Sequence, residues 1–128
     1  MGSFSFEPLK LERVTITVGD DDSGLSIKMS GMIDMRDPTL DILPYLLKIH
    51  EEVLKKSLKN IKADFTDLTF MNSSGIKTII SWIMKLNDVP AEKRYKINII
   101  YNPNITWQES SIQVMQQLFP DFIVVETE

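Results

Sequence analysis

The chain has 128 residues, 43% hydrophobic and 25% charged, with a formal net charge of −4 and no cysteine. Such a length supports one core and one domain, 1–128, and such a composition argues against disorder beyond the ends. The acidic balance, with no Lys/Arg run among aromatics, makes nucleic acid an unfavourable partner; the missing thiol excludes disulfides, cysteine catalysis and Cys-based zinc sites, and suits a reducing cytosol.

No apolar run approaches the roughly 20 residues of a membrane span. The first residues lack the basic and apolar regions of a signal peptide. Met1-Gly2-Ser3 is similar to the start of a myristoylation motif, but Phe6 stands where that motif needs Ser or Thr. The expectation is a soluble cytoplasmic protein with no membrane partner.

In chain order, Val14, Ile16 and Val18 alternate with Thr15 and Thr17, the period of a half-buried strand. Residues 19–24, rich in Gly and Asp, read as a turn, and Leu25, Ile27, Met29, Gly31 and Ile33 form a second alternating row. The pair predicts an antiparallel hairpin. Asp37-Pro38 stops the strand and Asp41 is the expected cap of a helix with Pro44 in its first turn. Leu43, Leu46, Leu47, Leu54 and Leu58 carry that helix to about Asn60. Ile61, Ala63 and Phe65 predict a short strand, with Leu68 and Phe70 in a following loop.

A second helix is expected from near Ser73 to Leu86 on the Ile76, Ile79, Ile80, Ile83 face, ended by Asn87, Asp88 and Pro90. Tyr95–Tyr101 reads as a third core strand. Thr106-Trp107-Gln108-Glu109 has the capping-box pattern and opens a helix burying Ile112, Met115, Leu118 and Phe119. Pro120 ends it. The continuous apolar run Phe122–Val125 reads as a strand covered on both faces. The order ββαβαβαβ predicts an α/β fold: a mixed, largely parallel sheet of about five strands with three main helices.

Few residues could carry chemistry. His50, the single histidine, falls in line with the leucines of the first helix and reads as packing, with no nameable partner for acid–base work. Asp20, Asp21 and Asp22 lack the alternating ligands, Gly and Glu of a calcium loop, so they read as a solvated turn. No glycine-rich phosphate loop occurs. No metal or cofactor is expected, and the reading is non-enzymatic.

The segment Asp67-Leu68-Thr69-Phe70-Met71-Asn72-Ser73-Ser74-Gly75-Ile76 differs: it joins a buried strand to a helix and puts an Asn and two hydroxyls at the helix entrance. Capping explains one of the three. Here the chain resembles the STAS family, whose members carry a D-S-S/T-G signature after a D-L-S/T strand. Phe70, Met71, Ser73, Ser74, Gly75 and Ile76 match it, and Leu25–Asp34 is similar to the family's G-x-[LIV]-D strand. The resemblance spans about residues 25 to 125.

It implies the stand-alone anti-sigma factor antagonist type, in which the first Ser of the signature is phosphorylated. By motif position that is Ser73, with Ser74 the runner-up. It implies as partners a serine/threonine kinase of the anti-sigma type and a PP2C-like serine phosphatase. Asp34, Thr69, Met71, Asn72, Gly75 and Lys77 are candidate interface residues. Asn72 departs from the family's usual Asp. Bacterial phosphoproteins that regulate a diguanylate cyclase resemble this site as well, with an Asn before the acceptor and a Lys in the position of Lys77. That regulator, or a sensor of a nucleotide or lipid, is the alternative. A monomer or weak dimer is expected.

Overall fold

The computed structural model describes residues 7–21 and 24–127. The myristoylation-like start and Asp22 of the hairpin loop lie outside those residues. Six strands, β1 (Leu9–Lys10), β2 (Val14–Asp21), β3 (Gly24–Ile33), β4 (Asn60–Met71), β5 (Lys96–Tyr101) and β6 (Ile123–Thr127), form one sheet in sequential order. β1, β2 and β3 pair antiparallel, whereas β3 to β6 pair parallel. The mixed, largely parallel sheet is as expected; β1, only two residues long, was beyond the reach of periodicity.

Three crossovers join the parallel strands. The first carries α1 (Pro38–Asp41) and α2 (Leu43–Lys55), the second α3 (Ser73–Met84), and the third α4 (Thr106–Leu118). Right-handed crossovers that step a sheet steadily in one direction lay their helices on one face. The burial pattern agrees. Ile27, Ile61, Ala63, Ile97 and Ile99 are buried under the helices, while Lys28, Lys62, Asp64, Asn98 and Val124 on the opposite face are partly or fully exposed.

That open face corrects the expectation for the last strand. β6 is a sheet edge covered on one side, so Ile123 is buried while Val124 is exposed. A polar ladder occupies the open side: Lys28 pairs with Asp67 at 2.9 Å and with Asp64 at 3.9 Å.

Other boundaries moved for identifiable reasons. β2 continues through Asp21, paired with Gly24, so the expected turn is mostly strand. Asp41 does not cap the long helix; it closes α1, and Ile42 precedes α2 without a side-chain cap, although Pro44 does sit in the first turn. α2 stops at Lys55 because Ser57 adopts a left-handed φ of 56° and Leu58 N–H bonds back to the Val53 carbonyl. This is the Schellman arrangement, in which Leu58 packs as the apolar residue beyond the helix end.

β4 shows the largest departure. It runs twelve residues, so Leu68 and Phe70 lie in strand and not in loop. Its register against β3 slips twice, between Lys28 and Ser30 and between Gly31 and Met32. Each bulge inserts one residue and flips the facing of the residues beyond it. Phe65, Leu68 and Met71 therefore all point inward at a spacing of three, and Phe70 turns outward.

Gly31 is obligatory at the second slip. Its φ is +101°, and a Cβ there would sit 2.1 Å from the Arg13 carbonyl oxygen. Close approach lets Met32 N–H bond that same carbonyl.

Candidate functional site

The carboxyl ends of β3 and β4 meet at the amino-terminal end of α3, the end of an open α/β sheet where ligands and partners characteristically bind. Asn72 makes the junction. Its backbone N–H donates to the Ile33 carbonyl, and its side-chain oxygen accepts from Gly75 N–H at 2.8 Å, capping α3. Its side-chain nitrogen donates to the Met35 carbonyl at 2.9 Å, tying α3 to the chain leaving β3.

Because Asn72 caps, the serines are released from that duty. Ser73 is the first residue of α3 and exposed, and its hydroxyl makes no hydrogen bond among the described residues. Ser74 is half-buried; its carbonyl, not its hydroxyl, is engaged, accepting from Thr78 Oγ1 at 2.8 Å. Capping is the work of Asn72 and not of Ser74. Thr78 also bonds Thr39 of α1 at 2.9 Å, so α1 is pinned beside α3.

Gly75 is buried for a steric reason. A Cβ would lie 2.6 Å from Met71 Cγ and 2.9 Å from Ile33 Cγ2. The first turn of α3 thus rests directly on the strand ends, which sets the height of Ser73 above the sheet. Met71 and Gly75, both candidate interface residues, face inward and can act on a partner only by positioning their neighbours.

The remaining candidates are on the surface or near it. Thr69 is exposed, its hydroxyl donating to the Gly31 carbonyl at 3.1 Å across the second bulge. Asp34, half-buried, accepts from Arg13 at 3.0 Å. Lys77 is exposed, one turn beyond Ser73 and so on the same side of α3. The fold brings Asp34, Asn72, Ser73 and Lys77 to one end of the molecule. Exposed Phe70 joins this end.

Gln108 escaped the sequence reading. The expected capping box does not form: Ile105 occupies the cap position, no side chain caps α4, and Thr106 is the first helical residue. Gln108 instead is fully buried, its Nε2 donating to the Phe65 and Leu68 carbonyls at 2.6 and 2.7 Å, its Oε1 accepting from Asn102 N–H. Those carbonyls flank the first β4 bulge, left without partners when β5 stops pairing beyond Asp64. Asp64 Oδ1 staples the same bulge by accepting from both Thr66 N–H and Thr66 Oγ1. The signal was present: Gln108 is in register with Ile112 and Met115, a polar residue on a buried helical row.

His50 is buried, its Nδ1 2.7 Å from the Tyr95 hydroxyl, as the packing reading expects. It lies on α2, away from Ser73 in the sequence of elements. No helix among the described residues is long and apolar enough to cross a membrane.

Sheet order and one-sided helix cover make up a SpoIIAA-like fold, with the serine pair at the β4–α3 junction. It is similar to an anti-sigma factor antagonist from Mycobacterium paratuberculosis, with 21% identity and a TM-score of 0.57 over 87% of this chain and 85% of that one. An uncharacterized protein from Shewanella loihica with a SpoIIAA-like fold is similar over 91% of this chain and 88% of its own, at 14% identity and a TM-score of 0.55. No family model and no curated protein sequence matches the chain. At such identities the likeness defines the fold, and function rests on the site.

Proposed function

We propose that the chain is a phospho-switched docking module of the anti-sigma factor antagonist kind, with Ser73 as the phosphorylated residue. In the unmodified state it binds a serine kinase of the anti-sigma type; phosphorylation releases it, and a PP2C-like phosphatase resets it. The observation that carries this reading is the division of labour at the helix entrance. Asn72 supplies the cap, leaving the Ser73 hydroxyl exposed and without a hydrogen bond among the described residues.

The physics of the switch is local. A phosphate adds about −1.5 to −2 charges and three acceptor oxygens. The first-turn N–H groups and the positive end of the α3 dipole tolerate it, so the domain keeps its fold. A docked partner does not tolerate it, since the dianion must be desolvated in the contact. A penalty of a few kcal/mol lowers affinity about a hundredfold or more. Asp34, Thr69, Asn72 and Lys77 surround the acceptor as the docking rim, and no step calls for catalysis by this chain.

The test is intact-mass measurement of the protein from its native cell. A species one phosphate heavier is expected, absent in Ser73→Ala, and Ser73→Glu is expected to lose the kinase in a pull-down while keeping its circular dichroism spectrum. A phosphate that persists in Ser73→Ala moves the acceptor to another residue, Ser74 first. A clean mass together with a co-purifying nucleotide or lipid replaces the switch with a sensor.

A further inference from the structure

α3 and α4 lie side by side over the sheet without closing on each other. Between them runs a groove of about 220 Å³ lined by Ile76, Ile80, Ser110, Ser111, Val114 and Met115. On its α4 side Val114 is 51% exposed and Leu118, one turn further, 57% exposed. Leu118 was expected in the core. Its outward position leaves α4 with an apolar stripe that nothing among the described residues covers.

We propose that this α3–α4 face is a self-association surface, closed in solution by the same face of a second copy of the chain. Charge is the first argument. Between Ser73 and Met84 the only charged residue is Lys77, and between Ser110 and Pro120 there is none, although a quarter of the chain is charged. Depletion of charge around exposed apolar side chains is the compositional mark of an interface core.

The second argument selects the occupant. A twofold contact places each residue type against the same surface, so like charges there would repel. A chain of net charge −4 meets itself at least cost on a face where Glu109, in the first turn of α4, is the single carboxylate of the two helices. Ser110 and Ser111 line the groove, and Gln113 and Gln117 are exposed on the same helix. Hydroxyls and primary amides each carry a donor and an acceptor, so they match their own symmetry mates.

Size is the third. Two adjacent helices of about twelve residues offer a footprint of roughly 18 by 20 Å. The corrugated surface over it is on the order of 600 Å² per copy, about 1,200 Å² in all, at the lower limit for specific contacts. The expected product is a reversible dimer of micromolar affinity. Ser73 lies at the amino-terminal margin of the face, one turn before Ile76.

Sedimentation velocity on the full chain, from about 1 µM to about 1 mM, tests this. The weight-average mass is expected to climb toward that of a dimer. Val114→Asp and Leu118→Asp are each expected to weaken association at least about tenfold, with unchanged circular dichroism and thermal midpoint. Val124→Asp, on the open sheet face opposite the helices, is expected to leave association intact, as is Ser73→Ala. A chain that stays monomeric throughout, or a dimer that survives both α4 substitutions, overturns the proposal. Neither outcome bears on phosphorylation, which the mass measurement reads separately.

Discussion

The side-chain amide of Asn72 donates to the Met35 carbonyl at 2.9 Å while its oxygen caps α3 through Gly75 N–H at 2.8 Å. One side chain thus locks the exit of β3 to the entrance of α3, and only an amide can do both. The sequence resemblance marks Asn72 as a departure from Asp; the geometry gives it a structural reason, because a carboxylate would cap equally well but would face the Met35 carbonyl without a proton to offer.

Asn72→Asp is therefore expected to cost about 1–2 kcal/mol of stability at neutral pH, the penalty of losing the donor to a partly buried carbonyl. Asn and Asp are near-equal as caps, so the loss reports the Met35 bond rather than the helix end. Urea denaturation of the two proteins measures it; equal midpoints would show that the bond contributes nothing.

Two glycines should respond to alanine in different degrees. Gly75→Ala gains about 1 kcal/mol in helix propensity but drives a methyl into Met71 and the stiff Ile33 branch. Overpacking of this kind costs about 1–3 kcal/mol, so the net effect is a modest loss, and the same change is expected to cost less when made on a Met71→Ala background. Gly31→Ala meets immovable backbone at a positive φ and is expected to prevent accumulation of soluble protein. Thermal midpoints and soluble yield read the two cases.

Gln108→Leu should be among the most damaging single substitutions of a helix residue here. It leaves the Phe65 and Leu68 carbonyls and the Asn102 N–H without their partner in a dry interior. Each orphaned group costs on the order of 1–3 kcal/mol, and a loss of about 3 kcal/mol or more is expected in urea denaturation. Faster hydrogen exchange at the β4 bulge would accompany it.

Stability should fall on mild acidification through His50. Burial holds its pKa below the usual histidine value; the Glu51 carboxylate pulls it upward and Lys85 downward, both weaker influences. The Tyr95 phenol facing it stays protonated, since burial raises its pKa. A folded-state pKa below the unfolded value of about 6.5 means that the unfolded chain takes up the proton first. The contribution is complete above about pH 6.5 and is lost as pH falls toward the depressed folded value. His50→Phe is expected to flatten this slope between neutral and mildly acid pH in denaturant titrations.

Much of the architecture was legible because it rests on local period. Strict alternation announced β2, the lower half of β4 and β5, and the 3.6-residue recurrence of Ile76, Ile79, Ile80 and Ile83 announced α3. The candidate site was legible as a motif, since Ser73, Ser74 and Gly75 stand together at a strand-to-helix junction. Where reading failed, a distant contact had overridden the local pattern. The upper half of β4 looked like a loop because two bulges stretch its inward spacing from two to three. Thr106-Trp107-Gln108-Glu109 looked like a cap because nothing local reveals that Gln108 is taken by carbonyls about forty residues away.

Alternation and helical recurrence, being short-range consequences of backbone geometry, were enough to define an α/β chain with a serine pair where a strand passes into a helix. The division of tasks among Asn72, Ser73 and Ser74 was decided only in three dimensions, by which carbonyl and which amide came within hydrogen-bonding distance. So was the open sheet face, and so was the outward turn of Leu118. Hydrogen bonds and steric contacts between remote segments depend on register and packing height, and those quantities exist only once the chain is folded.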